Sequence, residues 1–187
     1  ANQEAREHYN RALEVCERLG EAVQPATRMT LYAGKGAVHL LLSEFHASIE
    51  AHQRLLEVAR QRGDRHEEAE ALYQISFGFL FAHEFEQALE FSHQAQALAS
   101  EIGNQTILAA SLFVIAFVHA ATGKLDEATH GVEEALRVSR EAGETGREGF
   151  NLSLLGQLYN WKGEYEQALR LAEQSVTIGH THDLQLI

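Results

Sequence analysis

One proline, Pro25, and one cysteine, Cys16, in 187 residues leave the chain without the punctuation of a β-rich fold and without the means to form an internal disulfide. The lone thiol fits a reducing compartment, so a cytoplasmic location is expected. Basic residues are also scarce: 15 Lys and Arg against 27 Asp and Glu give a net charge of -12. Phosphate contacts need clustered positive charge, so a nucleic-acid partner is not expected. Arg54, Arg60, Arg62 and Arg65 do gather, but Glu57 and Asp64 dilute them, and they read as a solvated face. The chain begins at Ala1 with a charged stretch from Glu4 to Glu7, which has no signal-peptide pattern, and it reads as a piece of a longer protein. What remains is 45% hydrophobic and rich in Ala and Leu, a helical composition.

Self-comparison exposes a repeat. Gly63-Asp64, Gly103-Asn104 and Gly143-Glu144 each end a helical run, at 40-residue intervals. Glycine and asparagine suit the left-handed position that stops a helix. The same interval links Phe85-Glu86-Gln87-Ala88 with Leu125-Asp126-Glu127-Ala128 and Tyr165-Glu166-Gln167-Ala168. Each copy reads as helix A, a short turn near His83, Gly123 or Gly163, then helix B, with apolar residues at three- and four-residue steps. Copies are expected at 25–64, 65–104, 105–144 and 145–184, after a lone second helix within 1–24.

Copy four places Leu152, Leu155, Gly156, Tyr159, Gly163, Tyr165 and Ala168 in a Leu-Gly-x-x-Tyr, Gly, aromatic, Ala pattern. In this the chain resembles the tetratricopeptide-repeat family. Copies two and three follow through Leu72, Ile75, Phe79, Phe85 and Ala88 and through Leu112, Ile115, Ala116, Leu125 and Ala128. Copy one departs most, with Lys35 where a buried Leu is expected. The resemblance implies an all-α fold, a right-handed superhelical solenoid of antiparallel hairpins with the A helices on the concave side. A 40-residue unit exceeds the family's usual 34, and such units resemble those of large bacterial signalling and transcription regulators.

The family's groove-facing slots then fall on Glu70, Tyr73, Phe77 and Phe81 in copy two, on Phe113 and Phe117 in copy three, and on Phe150, Gln157, Asn160 and Trp161 in copy four. This wall is oily, whereas the B helices show Glu90, His93, Glu133, Glu134, Arg137, Arg170 and Glu173 on their outer stripes. In helix A of copy three, residues 107–121, only Ser111 and His119 are polar. A helix apolar all round needs cover on every side. The run is too short to span a membrane, which takes about 18 or more apolar residues, and no membrane partner is expected. The expected partner is a protein or peptide, an amphipathic helix or apolar segment gripped by the rings and oriented by Glu70, Gln157 and Asn160. Two alternatives stay open: a small apolar or sugar-like effector in the same groove, and rings spent on packing between neighbouring helices. Exposed solenoid ends would also allow self-association. Family members that hold chaperone C-termini use a Lys, Asn and Arg clamp, and the rings here do not match it.

No catalytic residues, cofactor or metal are expected, and the chain is read as a non-catalytic scaffold. The 11 histidines include His39, His46 and His52, spaced by seven and six residues rather than the four that lets one helix face share an ion. The nearest approach to a ligand cluster is Gly179-His180-Thr181-His182-Asp183. Ala33-Gly34-Lys35-Gly36 lacks the strand and spacing of a phosphate loop and reads as close helix packing.

Overall fold

The computed structural model describes residues 2–181. Their regular structure is helical throughout: α1 (Asn2–Leu19), a short 3-10 turn (Gly20–Ala22), α2 (Pro25–Leu41), α3 (Phe45–Arg62), α4 (Arg65–Phe81), α5 (Phe85–Ile102), α6 (Gln105–Ala121), α7 (Leu125–Ala142), α8 (Thr145–Trp161) and α9 (Tyr165–Thr181). Helices α2, α4, α6 and α8 start 40 residues apart, at 25, 65, 105 and 145. Each takes the place of helix A. Pro25 opens α2, where its missing N–H is no loss. Of the expected copy 145–184, His182, Asp183 and Leu184 lie outside the described residues, as do residues 185–187.

Local chemistry sets both kinds of turn. After α3, α5 and α7 a glycine, Gly63, Gly103 or Gly143, sits at φ between 66° and 71°. The next residue's N–H then returns to the carbonyl five residues back, as from Asp64 to Ala59 and from Asn104 to Ala99. After each A helix the corresponding left-handed position is Ser43, His83, Gly123 or Gly163, again with a return bond, as from Glu84 N–H to Phe79 O at 2.9 Å. These closures satisfy carbonyls the helix end would otherwise leave bare. Asp64 and Asn104 cap the following helices by accepting from the N–H of Glu67 and of Ile107, at 3.3 and 3.1 Å. Asn104→Ala should therefore cost about 1 kcal/mol, the usual worth of an N-cap, seen as a lower denaturation midpoint for residues 99–181.

By its contacts the chain divides into two compact units, Ala1–Leu98 and Ala99–Ile187, with the division inside α5. In the first unit α2 packs on α1 and α3, and α3 packs on α4. The core here holds Leu13, Met29, Ile49, Leu55, Leu72 and Ile75. Close approach is bought with glycine: an added Cβ at Gly34 would enter the Tyr9 ring, and one at Gly36 would enter the His52 imidazole. The Ala33-Gly34-Lys35-Gly36 stretch is thus a packing surface on both sides of α2. Phe79 of α4 stacks on Phe91 of α5 with centroids 5.5 Å apart.

In the second unit α6 pairs with α7 and α8 with α9, and α7 also packs on α8. One cluster joins Ala116, Val132, Leu136, Leu152, Leu155 and Leu158, with Phe113 and Tyr159 against it. Small residues on one helix admit large ones from the next, as ridges-into-grooves packing requires.

Candidate functional site

On α4 the expected groove residues form a ladder. Tyr73, Phe77 and Phe81 recur at four-residue steps, with ring centroids 5.8 and 4.8 Å apart, the second pair edge-on. Phe45, at the start of α3, extends the ladder by stacking on Phe81 at 5.8 Å. The rungs differ in what water reaches. Tyr73 is buried at 8% exposure, Phe77 is half-buried, and Phe81 stands 45% exposed. Tyr73 thus anchors the ladder rather than presenting a free face. Glu70 is half-buried, and its carboxylate accepts from Gln74 Nε2 at 2.7 Å.

The second unit carries the larger exposed set. On α6 Phe113 is half-buried, with its ring 6.1 Å from Phe117, and Phe117 is 39% exposed. The remainder of α6 from Ile107 to Ala120 is buried or half-buried, so Phe117 is where this apolar helix meets solvent. On α8 Phe150 and Trp161 are 48% and 50% exposed, and Gln157 and Asn160 are exposed between them. Ser153 shares their exposure, and together they follow the three- and four-residue steps of one helix face. The Trp161 end of α8 is fixed from α7. Lys162 Nζ lies 2.7 Å from Asp126, whose hydrogen bond pushes the ammonium pKa up, and Tyr159 donates to Glu133 at 3.0 Å. Burial first, then that hydrogen bond, raises the Tyr159 phenol.

Each strip can cover apolar surface brought by a partner, with polar side chains at its edge to fix orientation. Phe45 opens a B helix at the position that Phe85, Leu125 and Tyr165 hold in later copies, and nothing in that spacing assigns it to the ladder. Its stack on Phe81 depends on the turn at Ser43 and could not be read from spacing.

The charged and nucleophilic residues are dispersed. Cys16 is buried on α1. His46 pairs with Glu84 at 3.3 Å, and His39 lies 2.5 Å from Glu44, which also meets Arg6 at 2.6 Å. The His39 hydrogen bond, more than the Arg6 charge, holds the Glu44 carboxyl below its ordinary pKa. Among the described residues no three His, Cys, Asp or Glu side chains gather as a metal site. No helix among them is long and apolar enough to cross a membrane.

The likeness to a known family lies in the second half of the chain. The tetratricopeptide-repeat profile matches residues 105–179, from the start of α6 almost to the end of α9. Over that stretch the chain is similar to the tetratricopeptide repeat. Human tetratricopeptide repeat protein 29 is 25% identical over 132 residues, which cover 71% of this chain and 28% of that protein. The chain therefore spans less than a third of the curated relatives it matches. Two solved structures share the fold. The Rap conjugation gene regulator of plasmid pLS20, in complex with a Phr peptide, superposes with a TM-score of 0.82 at 14% identity, covering 95% of this chain and 48% of that one. NprR in complex with its cognate peptide NprX gives 0.70 at 19% identity, covering 90% and 49%. The all-α class and antiparallel helical hairpins expected of the tetratricopeptide-repeat family are present.

Proposed function

We propose that this chain is a non-catalytic scaffold that holds an amphipathic helix or extended apolar segment of a protein partner against the rings of its A helices. The observation that carries the reading is the exposure of Phe117, Phe150 and Trp161 on α6 and α8, between 39% and 50%. Large rings left in water forfeit burial worth about 25 cal/mol per Å² of apolar surface, and contiguous exposed apolar area usually marks an interaction surface. The rings stand on open helix faces, which suits an extended partner better than a small effector. Phe81, with Phe45 behind it, offers a second strip on α4 of the same character. Helix-in-groove docking on the second unit would take its affinity from Phe117, Phe150 and Trp161 and its direction from Gln157 and Asn160, and on α4 Glu70 would orient a segment laid on Phe81. The peptides in the Rap and NprR complexes support a peptide partner here by likeness of fold.

A displayed random-peptide library selected on the protein tests this. Aromatic and aliphatic residues at three- and four-residue steps should be enriched. Phe117→Ser should weaken a selected peptide at least tenfold, about 1.4 kcal/mol, while the circular-dichroism melt keeps its shape. Unchanged affinity in Phe117→Ser would remove the ring wall from the binding site. Stabilisation by small metabolites with no peptide enriched would move the reading to effector sensing.

The proposal extends to self-association. Tyr165, Leu169 and Val176 are exposed along one side of α9, whereas their counterparts Leu125, Thr129 and Leu136 on α7 are half-buried or buried. A second copy covering α9 would hide that stripe.

A further inference from the structure

A hollow of about 520 Å³ opens between α1, α2 and α3 in the first unit. It exists because copy one breaks the packing pattern of helix A. Positions 72, 112 and 152 carry Leu and positions 75, 115 and 155 carry Ile, Ile and Leu, all of them buried. At the same places α2 has Tyr32 and Lys35, both half-buried. A leucine there would be covered by the preceding B helix. An ammonium cannot be covered without a counter-charge, and α1 leaves it room.

Lys35 has no hydrogen-bond or ion-pair partner among the described residues. The other basic side chains around the hollow are engaged: Arg54 with Glu57 at 3.0 Å, and His39 with Glu44 at 2.5 Å. A half-buried lysine thus lines the hollow with no ion pair formed among the described residues. Beside it, Leu13 and Ala51 are buried and give the floor an apolar part.

The rim is mostly of the opposite sign. Glu14, Glu17 and Glu50 stand exposed around the opening, with Arg54 among them turned to Glu57. A simple anion drawn to Lys35 would have to pass three carboxylates on a protein of net charge -12. A simple cation would be held at the rim and leave Lys35 unanswered. Only a ligand carrying both signs a few ångströms apart satisfies floor and rim together. The volume falls within the about 300–1,000 Å³ typical of small-ligand sites. We propose that this hollow binds a small zwitterion of amino-acid to dipeptide size, its carboxylate on Lys35, its ammonium among Glu14, Glu17 and Glu50, and an aliphatic side chain against Leu13 and Ala51. The site is separate from the aromatic strips and does not depend on their having a partner.

The test is a ¹H–¹⁵N titration of the whole chain with L-alanyl-L-leucine to millimolar concentration. Saturable shifts are expected at the amides of Asn10, Tyr32, Lys35 and Ala51. N-acetyl-alanyl-leucine and alanyl-leucine amide, each with one charge removed, should bind at least tenfold more weakly. Lys35→Leu installs the residue found at position 155 and should abolish binding while its melting temperature holds or rises. Absence of saturable shifts at these amides would overturn the proposal. So would equal binding of either capped dipeptide, or undiminished binding by Lys35→Leu with its fold intact.

Discussion

Gly36→Ala should destabilise the first unit by about 1–3 kcal/mol, the usual cost of overpacking a well-filled core, although alanine is the better helix former. The reason lies across the α2–α3 contact. Gly36 is buried, and a methyl group there would occupy the place of the His52 imidazole, itself 2% exposed. Neither side has slack, since His52 Nδ1 is fixed 2.9 Å from the Ser48 carbonyl one turn earlier. The other copies show how the same space is filled differently. Positions 36 and 52 are Gly and His, 76 and 92 are Ser and Ser, 116 and 132 are Ala and Val, and 156 and 172 are Gly and Ala. In copy three Ala116 and Val132 are both fully buried in one cluster. Adding His52→Val to Gly36→Ala transplants that pair and should recover most of the loss, a coupling of about 1–3 kcal/mol in a double-mutant cycle. Additive single effects would show that the two positions do not share one space. Trp161, the chain's single tryptophan, belongs to the second unit. Its fluorescence therefore does not report on this contact, and amide hydrogen exchange along α2 and α3 does.

The same pair marks where legibility in the sequence ended. Gly63, Gly103 and Gly143 announce the helix ends directly, because a left-handed φ favours glycine, and the 40-residue interval follows from them. Ser43 and His83 take the same left-handed conformation after the A helices without being glycine, and no residue type flags them. Periodicity identifies which residues share a helix face but not what the next helix lays over that face. Tyr73 and Phe113 occupy equivalent slots, yet Tyr73 is buried and Phe113 only half-buried. Lys35 stood out in the sequence as a misfit, but its meaning depends on α1 leaving a hollow beside it. Histidine spacing along one helix carries no sign of the role of His52, which comes from Gly36 on another helix.

Acid should loosen the first unit through His52. Burial holds its pKa down at about 4, against an ordinary value near 6.5, despite the opposing hydrogen bond to the Ser48 carbonyl. The neutral ring is the form that packs. Between pH 6.5 and 4 the unfolded chain therefore binds a proton that the folded chain refuses, so stability rises with pH across this window and is lost as pH falls through it. Above the upper value the contribution is fully present. Near pH 4 the loss should reach about 3 kcal/mol, from about 1.4 kcal/mol per pH unit. Carboxylates titrate over part of the same range, so the wild-type slope alone does not isolate one histidine. Gly36→Ala with His52→Val supplies the control, since it keeps the contact filled and removes the titrating ring. Exchange-derived opening free energies of α3 amides should fall more steeply with acid in the wild type than in the double variant, and the gap should widen from pH 7 to pH 4. Parallel profiles would mean that His52 is protonated in place, with water or a neighbouring dipole accepting its charge.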